Sequence, residues 1–126
     1  MKRGRLFGWV LALSACVTSG GAVAQTVADG ETLFKRQCAV CHNAAAGAAN
    51  KVGPNLWGLL GRKSGTIEGF KYSEANKNSG IVWSPETLDP YLENPRKEIP
   101  NTTMAFVGIR KPEDRKAMIE YLATLK

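Results

Sequence analysis

Two cysteines and a histidine stand close enough in this sequence to share one chemical task. They occur as Cys38-Ala39-Val40-Cys41-His42, which is the pattern C-x-x-C-H. Two thiols three residues apart lie on one face of a helix, so each can add to a vinyl group of a haem and form a thioether. The adjacent imidazole can then bind the iron. Because this pattern is the attachment signature of c-type haem, the sequence predicts one covalently bound haem c, with His42 as an axial ligand.

Other chemistry for the same residues fits less well. A redox-active C-x-x-C pair of the thioredoxin type belongs beside a βαβ unit, and no such unit is visible in this sequence. A structural zinc needs four nitrogen or sulfur ligands, and Cys38, Cys41 and His42 supply three. A disulfide between Cys38 and Cys41 is sterically feasible, but it gives His42 no role.

The second axial ligand of the iron decides what the haem can do. His42 is the only histidine, so two histidine ligands from this chain are excluded. Met118 lies on the apolar stripe of a predicted helix, where packing explains it. Met104 lies in an irregular segment that can carry its thioether to the iron, although simple packing of Met104 is the alternative. Methionine paired with histidine raises the reduction potential of a haem.

The first 24 residues are typical of an export signal that is removed from the mature protein. Three basic residues lie within the first five positions, residues 6–17 are mostly apolar, and Ala22-Val23-Ala24 forms a small-x-small cleavage site before Gln25. We therefore expect a signal peptide at residues 1–24 and one folded domain at residues 25–126, outside the cytoplasm.

Two alternatives involve the same N-terminal segment. Leu13-Ser14-Ala15-Cys16 resembles a lipoprotein box, in which an acylated Cys16 would anchor the protein to a membrane. An uncleaved membrane anchor is the other alternative, but the apolar stretch is short for a span of roughly 20 residues.

The formal net charge of the full chain is +6, with 17 basic and 11 acidic side chains. Three of the basic residues belong to the N-terminal segment, so residues 25–126 carry a net charge of +3. A charge this small, without basic residues concentrated on one element, does not support nucleic-acid binding.

The elements that must position the motif are predicted to be helices joined by long loops. Asp29 is a suitable N-cap for a first helix over about residues 30–40. Residues 42–69 are rich in Gly, Asn and Pro and predict loops. Ser73 can cap a short helix that ends near Asn78. The triplet of residues 81–83 is the one β-leaning stretch.

Two further helices follow in the C-terminal half. Ser84-Pro85-Glu86 combines a capping hydroxyl, a proline at the first helical position and an acid in the first turn. This helix should run towards Glu93, with Pro90 bending or shortening it. A last helix begins near Pro112. The predicted fold is therefore all-α, and its long loops can pack against a haem.

The combined motifs resemble class I cytochrome c, of the soluble mitochondrial-like and photosynthetic-bacterial type. The resemblance covers about residues 30–125 and depends on many matches in the same order. Besides the C-x-x-C-H segment they are Gly53-Pro54-Asn55-Leu56-Trp57-Gly58, Gly61-Arg62-Lys63-Ser64-Gly65, Phe70, Tyr72, Trp83, Tyr91-Leu92-Glu93-Asn94-Pro95 and Pro100 through Met104 to Ile109. It implies a small fold of helices and long loops wrapped around one covalently bound haem.

The resemblance also implies roles for residues around the haem. The carbonyl group of Pro54 should accept a hydrogen bond from His42. Tyr72 and Trp83 should bind a buried haem propionate, with Arg62 offsetting its charge.

A second implied group surrounds the methionine ligand. Asn76, Tyr91 and Thr102 should form a network around a buried water beside Met104. At some distance from the haem, Gly30, Phe34 and Tyr121 should meet where the first and last helices cross.

The family's exposed haem edge is ringed by basic residues that contact acidic partners. The matching residues here are Lys51, Arg96, Lys97, Arg110 and Lys111. Gln37 and Thr103 stand where mitochondrial members commonly have Lys or Arg. The ring is therefore thinner, and we expect only modest electrostatic steering.

These observations predict a periplasmic, monomeric one-electron carrier in which the iron cycles between Fe(III) and Fe(II), and which is not an enzyme. The expected partners are proteins with acidic docking faces. They are a cytochrome bc complex or a dehydrogenase as donor, and an oxidase or photosynthetic reaction centre as acceptor. A membrane-anchored cytochrome c is one alternative. A haem peroxidase or ligand-binding sensor is another, which would need an open sixth position on the iron.

Overall fold

The computed structural model describes residues 20–126, so the basic N-terminal residues and Cys16 lie outside the described part of the chain. The five helices in this part are α1 (Gly20–Gln37), α2 (Glu74–Asn78), α3 (Pro85–Glu93), α4 (Pro95–Glu98) and α5 (Pro112–Ala123). Over residues 20–126, β structure is limited to one isolated bridge between Lys63 and Val82. The all-α prediction is confirmed.

The crossing of α1 and α5 is the largest contact between helices in the fold. Gly30 lies so close to α5 that a Cβ atom placed on it would collide with the carbonyl oxygen of Ala117 and lie 2.8 Å from the Cβ of Tyr121. One turn further along α1, the rings of Phe34 and Tyr121 are 5.3 Å apart. The expected contact of Gly30, Phe34 and Tyr121 is therefore confirmed.

The predicted bounds of the first helix are wrong at both ends. α1 begins at Gly20 rather than near Gly30, and Asp29 lies within it instead of capping it. Residues 22–28 contain neither glycine nor proline, so nothing interrupts the helix on that side. At the other end, the amides of Cys38 and Ala39 both donate to the carbonyl of Phe34, which closes the helix.

The helix α1 therefore extends across the predicted cleavage site between Ala24 and Gln25. Within residues 20–126, no helix combines the length and the apolar character that a membrane span requires.

The capping signals in the middle of the sequence predicted their helices well. The hydroxyl of Ser73 accepts from the amide of Asn76 at the start of α2. Ser84 and Thr87 form a reciprocal capping box at the start of α3. Both of these helices are confirmed with their predicted ends, and α5 begins at Pro112 as expected. The short helix α4 was not predicted.

Of the two effects expected of Pro90, bending or shortening α3, the shortening does not occur. The helix continues to Glu93, and the amide of Asn94 donates to the carbonyl of Pro90. A proline at this position removes only the amide that would pair with the carbonyl of Glu86, in the first turn. The loss is small because Glu86 is exposed, so water can take that bond.

The loops predicted at residues 42–69 are confirmed, and they are held by specific hydrogen bonds. The buried side chain of Asn55 donates to the carbonyls of Ala45 and Ala48, at 2.8 and 2.9 Å. The amide of Gly58 donates to the carbonyl of Leu125 at 2.7 Å, which ties the loop to the end of the chain. These bonds keep the long loop in one conformation beside the helices.

The helix crossing predicts the effect of one added methyl group. Gly30→Ala should lower the free energy of unfolding by about 1–3 kcal/mol, because the crossing has no space for the new atom. Thermal unfolding of the purified protein measures the change. Thr32→Ala, on the exposed side of the same helix, is the matched control and should have little effect. Equal stability of the two variants would contradict the close approach at Gly30.

Candidate functional site

One cavity of about 360 Å³ brings together the residues that the sequence singled out for chemistry. Cys38, Cys41, His42 and Met104 all line it. Its walls are mostly apolar and come from the end of α1, the loops that follow, α3, the segment around Met104 and α5. A largely apolar cavity with a few converging polar groups is what a flat apolar cofactor requires.

The two cysteines lie in the turn that follows α1 rather than on a continuous helical face. The amides of Cys41 and His42 both donate to the carbonyl of Cys38. The pKa of the Cys38 thiol is raised to about 11, mainly by burial and to a smaller extent by the charge of the neighbouring Cys41. Both thiols are free, so the disulfide alternative does not occur in this structure.

The zinc alternative also finds no support. In the part of the chain from residue 20 onwards, no three His, Cys, Asp or Glu side chains are grouped as a metal site requires.

The orientation of the His42 ring is set by its two neighbours in the loop. The Nδ1 atom of His42 lies 2.7 Å from the carbonyl oxygen of Pro54 and donates to it. Burial lowers the pKa of His42, which the bond to Pro54 partly opposes. The ring is therefore neutral, with its hydrogen on Nδ1 and the lone pair of Nε2 free to bind a metal.

Gly53 lets the backbone pass directly over the imidazole. A Cβ atom on Gly53 would lie 2.6 Å from Nδ1 and 2.7 Å from Nε2 of His42. Gly53 belongs to one of the motifs named above, but this role was not predicted from the sequence. The available signal was its position immediately before Pro54 and eleven residues after His42, a histidine that needs a backbone partner.

The sulfur of Met104 has polar neighbours that the structure brings together from distant parts of the sequence. The Tyr91 hydroxyl donates to Sδ of Met104 over 3.5 Å. The amide of Met104 donates to Oγ1 of Thr102 (3.3 Å), and that hydroxyl donates to Oδ1 of Asn76 (3.0 Å). Burial raises the pKa of Tyr91 to about 12, so its hydroxyl stays protonated and remains a donor.

Tyr72, Trp83 and Arg62 all line the cavity. The hydroxyl of Tyr72 accepts from the amide of Ile67 (3.3 Å). Nη2 of Arg62 donates to the carbonyl of Asn55 (3.0 Å), which fixes the guanidinium against the loop. Burial lowers the pKa of Arg62 and raises that of Tyr72. Trp83 packs on Tyr91, with ring centroids 4.6 Å apart.

The five basic residues expected to contact partners are all exposed. Arg96 and Lys97 lie on α4, and Arg110 and Lys111 directly precede α5. Lys51 differs from the others because its Nζ donates to the carbonyl of Ala39, beside the two cysteines.

Arg115 is only 6% exposed, which was not predicted from the sequence. Its Nε atom donates to Oδ1 of Asp89 on α3 over 2.8 Å. No sequence pattern indicates this burial, because an arginine in an otherwise polar turn of α5 resembles a surface residue.

Comparison with known proteins assigns the chain to a family. The family model described as Cytochrome c matches residues 27–126. The cytochrome c of Trypanosoma brucei brucei is 59% identical over 83 residues, which are 66% of this chain and 89% of that protein. The cytochromes c of Cochliobolus lunatus and Arabidopsis thaliana are each 54% identical over 93 residues, which are 74% of this chain and 86% and 83% of those proteins.

The comparisons contradict the location expected from the sequence. The relatives belong to a trypanosome, a fungus and a plant, all of them eukaryotes, whose cells have no periplasm. The periplasmic location is therefore wrong, and so is the alternative of a lipid anchor at Cys16. An apolar stretch behind basic residues is a pattern that does not define one destination.

The apolar cavity, the C-x-x-C-H turn at its edge and the matched relatives agree with one another. The chain therefore belongs to the cytochrome c family: it is a class I cytochrome c, an electron carrier and not an enzyme, which binds one covalently attached haem c.

Proposed function

We propose that this cytochrome c carries single electrons from a cytochrome bc complex to an oxidase, with its haem held by Cys38, Cys41, His42 and Met104. The observation that carries the proposal is that these four side chains line one apolar cavity. When bound there, the haem supplies an iron that exchanges one electron between Fe(III) and Fe(II).

In this proposal His42 and Met104 are the residues that would hold the iron of the bound haem. The bond from Nδ1 of His42 to Pro54 leaves Nε2 as the metal-binding atom and makes the imidazole a stronger donor. The hydroxyl of Tyr91 donates to Sδ of Met104 and restricts the rotation of the thioether. Two restrained ligands reduce the rearrangement that accompanies a change of charge on the metal, which favours fast electron transfer.

The polar residues of the cavity wall are assigned to a propionate group of the haem and to the surroundings of Met104. Arg62, Tyr72 and Trp83 form the polar part of the wall, and we assign them to a propionate group. Asn76 and Thr102 form a hydrogen-bonded chain to the backbone of Met104, which suits the proposed network beside the methionine.

The partner-binding surface in this proposal consists of the exposed basic residues. Their side chains attract acidic faces during a brief encounter of small area. They are Lys51, Arg96, Lys97, Arg110 and Lys111.

We also retain residues 25–126 as the functional domain and residues 1–24 as a segment that is removed. The family match begins at residue 27, and Gly30 makes the close contact between α1 and α5. Mass spectrometry of the N-terminus of the native protein tests this boundary.

Replacing Met104 tests the ligand assignment. Met104→Ala should abolish the sulfur-to-iron charge-transfer band of the ferric protein. It should also lower the reduction potential by a substantial part of the about 0.8 V over which axial ligands set haem potentials. Spectroscopy and redox titration measure both effects.

Met118→Leu is the matched control, because Met118 also lines the cavity and leucine conserves its volume. That variant should keep the band and the potential. A Met104→Ala protein that retains the band would show that another group is the sixth ligand.

Adding a methyl group beside His42 tests the other axial ligand. Gly53→Ala should displace the imidazole from its bond with Pro54, weaken its bond to iron and cost about 1–3 kcal/mol of stability. The absorption spectrum of the haem and thermal unfolding measure these effects. Gly30→Ala is the control, since it should destabilise the protein without changing the spectrum. If the spectrum of Gly53→Ala, like that of Gly30→Ala, equals the spectrum of the unmodified protein, Gly53 does not position His42.

Reversing single charges tests the partner-binding surface. Lys97→Glu and Lys111→Glu should each slow electron transfer to an acidic partner several-fold to about tenfold at low salt. The difference should shrink as the ionic strength rises and the Debye length falls below about 10 Å. Lys116→Glu changes the net charge equally outside the proposed surface and should have little effect. An equal loss of rate in all three variants would contradict the assignment of this surface.

A further inference from the structure

The segment that carries Met104 contains no regular secondary structure of its own. Between α4 and α5, residues 99–111 form neither helix nor strand, and Val107 is 87% exposed. Such a segment has no hydrogen-bonded helix or strand of its own. Its position depends on the packing of Met104 and Phe106 against the core and on the points where it is attached to the rest of the fold.

The attachment before Met104 consists of Ile99 and Thr102. Ile99 is buried, and its carbonyl accepts from the amide of Thr102 at 3.1 Å. The side chain of Thr102 donates to Asn76 on α2. This side of the segment is thus connected to α2 and, through Ile99, to the core.

The attachment after Met104 is made at Gly108 and Ile109. Ile109 is buried, and its amide donates to the carbonyl of Leu92 on α3 over 2.7 Å. Gly108 has a φ of +109° and lies against the carbonyl of Glu93, with no space for a Cβ atom. The chain therefore passes close to the end of α3 at this point.

Arg115 holds this second attachment from the side of α5. Its Nη1 atom donates to the carbonyls of Ile109 (3.0 Å) and Arg110 (2.9 Å). Its Nε atom donates to Asp89, and Glu93 lies 3.7 Å from Nη1. One buried guanidinium on α5 thus binds α3 and two residues near the C-terminal end of the Met104 segment.

We infer that Arg115 is a positioning residue for Met104, which it keeps within bonding distance of the iron by fixing the C-terminal end of the Met104 segment. Ile109 follows Met104 by five residues, and five extended residues span up to about 17 Å. A segment released at Ile109 has enough length to withdraw the sulfur from the iron. The inference rests on the proposed ligation of the iron by Met104.

The binding of imidazole to the ferric holoprotein tests the inference, since imidazole occupies the iron when Met104 leaves. Arg115→Met should raise the affinity for imidazole about tenfold or more, because the bonds lost involve a charged group. Arg115→Lys keeps the charge but cannot bond two carbonyls and a carboxylate at once, so its affinity should lie between those of Arg115→Met and the unmodified protein. If Arg115→Met fails to fold, Arg115→Lys is the variant that tests the inference.

Two controls separate positioning from general stability. Lys116→Met also replaces a basic side chain by methionine, one residue further along on the exposed side of α5, and should leave the affinity unchanged. Gly30→Ala destabilises the protein at a distance from the Met104 segment, and its affinity should rise far less than that of an Arg115 variant with the same Tm.

Hydrogen exchange gives a measurement that does not depend on the iron. The amide of Ile109 should exchange faster in Arg115→Lys than in Gly30→Ala. Equal imidazole affinities and equal exchange rates in these two variants would overturn the role of Arg115 but leave the proposed ligation by Met104 unaffected. An unmodified protein without the methionine-to-iron band would instead overturn the ligation by Met104, and the inference with it.

Discussion

The apolar lining of the central cavity is the constraint on which the rest of this structure depends. A domain of about 100 residues buries a limited core, and here the side chains from α1, α3 and α5 that would form it face a shared space of about 360 Å³. A haem fills such a space with a rigid apolar surface. With the haem bound, the loops at residues 42–69 would pack against it and need no regular structure, and side chains such as Asn55 join them to one another.

The two sides of the cavity are built by different means. On the side of His42, the end of α1, the bond to Pro54 and the passage of Gly53 over the ring hold the imidazole at close range. On the side of Met104, an irregular segment is held at its ends by Thr102 and Ile109. The histidine is therefore fixed locally, whereas the position of the methionine depends on contacts with elements distant in sequence.

Local signals predicted the parts of the fold that depend on neighbouring residues. The hydroxyls of Ser73 and Ser84 begin α2 and α3 where they were expected, because a cap is satisfied by amides two or three residues away. The prediction failed for α1, since Asp29 offers the same capping chemistry but lies inside a stretch that continues the helix in both directions. At Pro90 the expected shortening of α3 does not occur, because the cost of a missing amide depends on whether its partner carbonyl is exposed.

The sequence by itself determined the chemistry of this protein: two thiols and an imidazole at C-x-x-C-H spacing, a single histidine, and a methionine outside the helices. Only the tertiary structure decided how these groups are held. The donation from Tyr91 to Met104 and the burial of Arg115 between α3 and α5 depend on how the helices pack. The approach of Gly53 to His42 is local, but it depends on the path of a loop that has no periodic pattern. The physical reason is that covalent chemistry follows from the order of residues, whereas distances across a cavity follow from how the helices pack.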